Sequence, residues 1–70
     1  MNYPPEIWPQ ADGSKTACTE KIKVLNENLE ELRQTAQDAL EDALLMGCDE
    51  ASVREIFHAL IDSLTNPYPG

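Results

Sequence analysis

The stretch that decides the fold runs from residue 18 to residue 46 and reads CTEKIKVLNENLEELRQTAQDALEDALLM. It holds no proline or glycine, and strong helix formers dominate it. We therefore predict one long helix over residues 17–46, with Thr16 or Thr19 as its N-cap. Its apolar residues recur at alternating steps of four and three, the spacing of a coiled-coil seam: Cys18, Ile22, Leu25, Leu29, Leu32, Ala36, Ala39, Ala43 and Met46.

A second, shorter helix is predicted over residues 50–64. Gly47 ends the first helix, because glycine accepts the left-handed conformation that closes a helix, and Asp49 is a ready N-cap for the next one. A link this short favours an antiparallel helical hairpin over residues 17–66, so the predicted fold class is all-α. Residues 67–70 form a C-terminal tail. The second helix carries one apolar stripe: Val53, Ile56, Phe57, Leu60, Ile61 and Leu64.

Residues 1–16 precede the hairpin and are broken by prolines. Proline disfavours helix at the residue before it, so we expect an extended or irregular arm. The arm nevertheless carries apolar side chains at Tyr3, Ile7 and Trp8. Three interpretations stay open: the arm docks on the helices of its own chain, it binds another protein, or it is disordered.

The two predicted helices differ twofold in length. Thirty residues of helix span about 45 Å and fifteen span about 22 Å, so the second helix can cover the first only to about Leu32. The N-terminal seam, defined here as Ile22, Leu25, Leu29 and Leu32, then lacks a partner helix. A second copy of the chain, the arm, or a different protein could cover it. We expect a homodimeric four-helix bundle with an interface made by Ile22, Leu25, Leu29, Leu32, Ala36 and Trp8.

Composition narrows the classes of function. The chain has 70 residues with 13 acidic and 5 basic side chains, a formal net charge of −8. That charge argues against binding nucleic acid or an anionic membrane, since both need cations. No apolar run approaches the ~18 residues of a membrane span. The polar, proline-broken start and two cysteines indicate a cytoplasmic protein with free thiols.

Few residues could carry chemistry. Cys48 would lie beside a helix N-terminus, where a thiol pKa falls, whereas Cys18 is read as a seam residue. Some 30 helical residues separate the two cysteines by more than about 40 Å, which excludes a disulfide within one chain. Glu55 and His58 have the spacing used by di-iron bundles, but they would face away from the core. We expect no enzyme, metal or cofactor.

Two functions follow from these residues. The favoured one is a non-catalytic interaction module, an adaptor or accessory subunit that works through its apolar seam. The alternative is a thiol-based redox or metal sensor that uses Cys48 with Cys18 or His58 of a second subunit. A third, an acidic mimic of nucleic acid, is suggested only by the charge.

Overall fold

The computed structural model describes residues 8–15 and 18–69. It consists of two helices in contact, α1 over Thr19–Leu45 and α2 over Glu50–Ser63, with no strand in this part of the chain. The predicted helical hairpin is confirmed, and each helix lies within its predicted range. Tyr3, Ile7 and Thr16, on which parts of the sequence predictions depended, lie outside the described residues. Neither helix is long and apolar enough to cross a lipid bilayer, as far as the described residues extend.

The hairpin turn has the predicted glycine at its centre. Gly47 has a φ of +92°, in the left-handed region that glycine enters at little cost. Its N–H donates to the carbonyl oxygen of Leu44, and the N–H of Cys48 donates to that of Ala43, both at 3.0 Å. This pair of bonds is the Schellman arrangement, which satisfies the last carbonyls of a helix. These bonds therefore end α1 at Leu45, and the chain then reverses direction into α2.

Asp49 caps α2, as predicted. Its carboxylate accepts hydrogen bonds from the backbone N–H of Ser52 at 3.0 Å and from the Ser52 hydroxyl at 2.8 Å. The backbone bond, and after it the hydroxyl bond, lower the pKa of the Asp49 carboxyl, because both stabilise the charged form. Arg54 and Glu50 form an ion pair at 3.0 Å within the first turns of α2. The helix stops at Leu64, whose backbone is extended.

The chain divides into two compact units, and the boundary falls between Thr35 and Ala36. The arm unit contains the described residues 8–15 and the N-terminal part of α1. The hairpin unit contains the remainder of α1, the turn and α2.

The core of the hairpin unit is small. Val53 of α2 is the one buried hydrophobic side chain among the described residues, with 6% of its surface exposed. Ala36, Leu40 and Ala43 of α1 and Phe57 of α2 are half-buried. Ala36 and Ala43 belong to the predicted seam, but the half-buried residue between them is Leu40, and the predicted seam residue Ala39 is exposed. A single buried valine leaves most of the apolar stripe of α2 outside the core.

Candidate protein-interaction surfaces

The described part of the arm is a tight turn. Pro9 and Lys15 form an antiparallel bridge. Inside it, the N–H of Gln10 donates to the Ser14 carbonyl at 2.7 Å, and the N–H of Gly13 donates to the Gln10 carbonyl at 3.0 Å. Gly13 has a φ of +89°, which completes a three-residue hairpin loop. The arm was predicted to be extended or irregular, and between residues 9 and 15 it turns back on itself.

Asp12 holds this turn together. Its carboxylate accepts hydrogen bonds from the Ser14 hydroxyl at 2.6 Å and from the Ser14 backbone N–H at 2.9 Å. The hydroxyl bond, followed by the backbone bond, lowers the pKa of the Asp12 carboxyl. The Asp-Gly pair therefore explains why the chain turns here: aspartate bonds its own backbone two residues on, and glycine supplies the left-handed residue.

Trp8 joins the arm to α1. Its indole N–H donates to the side-chain oxygen of Asn26 at 2.7 Å, and the tryptophan is half-buried. Asn26 lies four residues after Ile22 and three before Leu29, so it shares their face of the helix. The bond therefore places Trp8 on the face that carries the N-terminal seam. Of the three coverings weighed for that seam, this observation supports the arm.

The N-terminal seam is partly covered. Ile22, Leu25 and Leu29 are half-buried, whereas Leu32 is 51% exposed. A shallow groove of about 530 Å³ lies beside the arm, lined by Gln10, Glu20, Lys21, Val24 and Leu25. Its lining residues are exposed or half-buried, so the groove does not enclose a ligand as a binding pocket does. Whether these seam residues contact another protein stays a prediction.

The larger apolar surface lies in the hairpin unit. Leu45 is 89% exposed and Met46 is 82% exposed, although both belong to the end of α1 and its turn. Four residues of the predicted α2 stripe are also exposed. We call the whole set the hairpin surface: Leu44, Leu45, Met46, Ile56, Leu60, Ile61, Leu64 and Tyr68.

Sequence reasoning did not identify this surface, because it placed the predicted interface on the N-terminal seam, Ala36 and Trp8 and named no residue of α2. The width of the stripe was the available signal. At 100° per residue, the residues from Ile56 to Ile61 spread over about 140° of the helix circumference. The half-buried residues of the facing part of α1 are Leu40 and the two small residues Ala36 and Ala43. One helix with such a narrow, alanine-rich face cannot cover so broad a stripe.

The cysteines also differ from expectation. Cys18 was read as a seam residue, but α1 begins at Thr19, and Cys18 is exposed at its N-terminus. The backbone N–H of Lys21, the larger influence, and that of Glu20 hydrogen-bond its sulfur and lower the pKa of the thiol. Cys48, the other candidate redox thiol, is exposed and free. The N-terminus of α1 therefore lowers the pKa of the Cys18 thiol.

A metal centre finds no geometric support in residues 8–15 and 18–69. No three histidine, cysteine, aspartate or glutamate side chains of this part of the chain come together as a ligand set. His58 is exposed on α2, as is Glu55.

Comparison of this chain with protein-family models, with curated proteins and with solved structures gives no significant match in any of the three.

Proposed function

We propose that this chain is a non-catalytic helical interaction module. It acts by binding other protein chains through its apolar helix surfaces, and one partner is a second copy of itself, in a dimeric four-helix bundle. One observation carries the proposal: among the described residues Val53 alone is a buried hydrophobic side chain, while the entire hairpin surface is exposed. Two exposed free cysteines support a reducing compartment such as the cytoplasm.

The exposed area gives the physical reason. If a fully exposed aliphatic side chain counts for about 100 Å², the hairpin surface without Tyr68 exposes about 450 Å². Burying that area is worth about 11 kcal/mol as an upper estimate, at ~25 cal/mol per Å². Globular domains are stable by only about 5–15 kcal/mol, so a partner that covers this surface changes the stability of the chain substantially.

Sedimentation equilibrium of the purified chain across a broad micromolar concentration range, together with binding of the dye ANS, tests the proposal. We expect self-association, and ANS fluorescence that rises as the protein is diluted and apolar surface becomes free. A well-folded monomer at every concentration that binds no ANS would remove the proposal, because its apolar surface would then need no partner.

A thiol-based sensor is the second candidate, and the environment of Cys18 favours it. Cys18 is exposed and its thiol pKa is lowered, which are the two properties of a reactive cysteine. Alkylation of the Cys18→Ser and Cys48→Ser variants by iodoacetamide at neutral pH tests it. We expect the variant that retains Cys18 to react faster. Equal rates, or faster reaction through Cys48, would exclude a sensor based on Cys18.

A further inference from the structure

We infer that the arm is a strap that closes the N-terminal seam, and that a second copy of this chain binds the seam when Trp8 leaves it. The inference rests on the proposed function and adds to it how one surface is regulated. Three observations support it: the position of Trp8 on the seam face, the self-contained turn that follows Trp8, and the absence of acidic residues beside the seam.

Trp8 lies where a partner helix would pack. Its indole N–H donates to the side-chain oxygen of Asn26 at 2.7 Å, across 18 positions of sequence. Three of the four seam residues are half-buried on the same face, and the fourth, Leu32, is 51% exposed one turn further along α1. Packed helices approach to about 8–10 Å between their axes, which leaves no room for an indole between them. The seam can therefore hold the arm or a second helix, but not both at once.

The turn that follows Trp8 is held by bonds within the arm. The carboxylate of Asp12 accepts two hydrogen bonds from Ser14, and the N–H of Gln10 donates to the Ser14 carbonyl. The Gln10 side chain also donates to the Trp8 carbonyl at 3.3 Å. Residues 9–15 are all exposed, and Trp8 is the half-buried residue of the described arm. Trp8 is therefore the anchor, and the arm can leave α1 as one piece.

Attachment through one side chain sets a two-state equilibrium between a closed and an open seam. Such an equilibrium leaves about 0.1–10% of the molecules open. A second copy binds only the open molecules, so the apparent dissociation constant is raised by the reciprocal of the open fraction. The strap therefore weakens self-association through the seam by at least about tenfold.

The flanks of the seam permit a second acidic copy to approach. The seam residues occupy positions a and d of a heptad, so the residues at e and g flank the contact between two helices. Between residues 21 and 35 these flanking positions hold basic, amide and hydroxyl side chains: Lys21, Asn26, Asn28, Arg33 and Thr35. None of the 13 acidic residues of the chain is among them. Two copies of net charge −8 therefore meet here without one carboxylate facing another.

Replacing Trp8 distinguishes a strap from an interface residue by the sign of the effect. Without the anchor the seam is open, so Trp8→Ala should lower the dissociation constant for self-association by about tenfold or more. Trp8→Phe keeps an aromatic ring but lacks the indole N–H, and it should lower the dissociation constant by about threefold. If Trp8 instead belonged to the dimer interface, as the sequence predicted, Trp8→Ala would raise the dissociation constant.

Sedimentation equilibrium gives the dissociation constants, and circular dichroism at 222 nm verifies that the variants remain helical. Trp8 is the single tryptophan, so its fluorescence also reports the strap in the wild-type chain. As the wild-type protein is concentrated and a second copy takes the seam, the emission should shift to longer wavelength.

Self-association of the wild type without this shift, or self-association that Trp8→Ala does not strengthen, overturns the strap and leaves the proposed function standing. If the wild type and Trp8→Ala both stay monomeric at every concentration, the inference also fails. The absence of ANS binding to both monomers would then remove the proposed function as well.

Discussion

Replacing Val53 by alanine tests whether the hairpin depends on one buried side chain. Val53 is 6% exposed on α2, and Val24, in the other unit, provides a matched control because it is 53% exposed on α1. The same two methyl groups are removed in both variants, and both replacements gain the same helix propensity of alanine. The difference between the two variants therefore isolates the effect of burial.

The expected magnitude follows from these exposures. A buried methyl group is worth about 0.8 kcal/mol, so Val53→Ala loses about 1.5 kcal/mol of burial and leaves a small cavity that adds to the loss. The higher helix propensity of alanine stabilises the folded variant by about 0.5 kcal/mol and offsets part of this loss. Val53→Ala should therefore lower the free energy of unfolding by about 1 kcal/mol or more. Val24 loses half as much burial, about 0.8 kcal/mol, so Val24→Ala should be close to neutral.

Urea unfolding followed by circular dichroism at 222 nm measures both variants. The proposed dimer would make stability depend on protein concentration, so all proteins are compared at one concentration. Equal destabilisation by the two variants would refute the reasoning, since burial would then not distinguish the two positions. A stabilised Val53→Ala would refute it more strongly, because helix propensity would then outweigh packing at the only buried hydrophobic position described.

Three further substitutions probe the turns and the arm. Gly47→Ala should lower the free energy of unfolding, measured in urea, by about 1 kcal/mol. No atom lies within 4 Å of the added Cβ, so the cost comes from the strain of an alanine held at a φ of +92°. Asp49→Ala should lower the melting temperature at pH 7. Because folding lowers the pKa of this carboxyl, its stabilising effect is present above pH ~4 and is lost as the pH falls through the lowered pKa, so the deficit should shrink as the solution is acidified below pH ~4. Asn26→Ala should shift the fluorescence emission of Trp8, the single tryptophan, to longer wavelength, and Asn28→Ala on the exposed side of α1 should not.

The helices and their ends could be predicted from the sequence because local chemistry sets them. The step from Met46 to Asp49 contains a left-handed glycine and an N-cap carboxylate, and each acts on backbone groups within a few residues. The turn at Asp12 and Gly13 is equally local, and its residue types are those of a hairpin loop. The prolines of the arm led to the prediction of an extended or irregular segment, and this pair was not used to place a turn within it.

The distribution of burial could not be predicted, because it depends on distant segments. Periodicity identifies the face of a helix that is apolar, but it does not identify what covers that face. The sequence left three possible covers for the seam at Ile22 and Leu29, and the arm was one of them. An indole and an asparagine, 18 positions apart in sequence, supply part of the cover. Neither residue belongs to an apolar repeat, so no pattern linked them.

The location of the uncovered surface follows from side-chain volume rather than from helix length. The longer helix was expected to leave its unpaired half bare, yet the greater exposure lies where two helices are in contact. Two of the three half-buried residues in this part of α1 are alanines, Ala36 and Ala43, while α2 carries large aliphatic side chains over a broader arc. A helix face built largely from alanine leaves the flanks of a broad apolar stripe on its partner helix uncovered. Side-chain size on the facing helix therefore sets how much of the α2 stripe stays exposed.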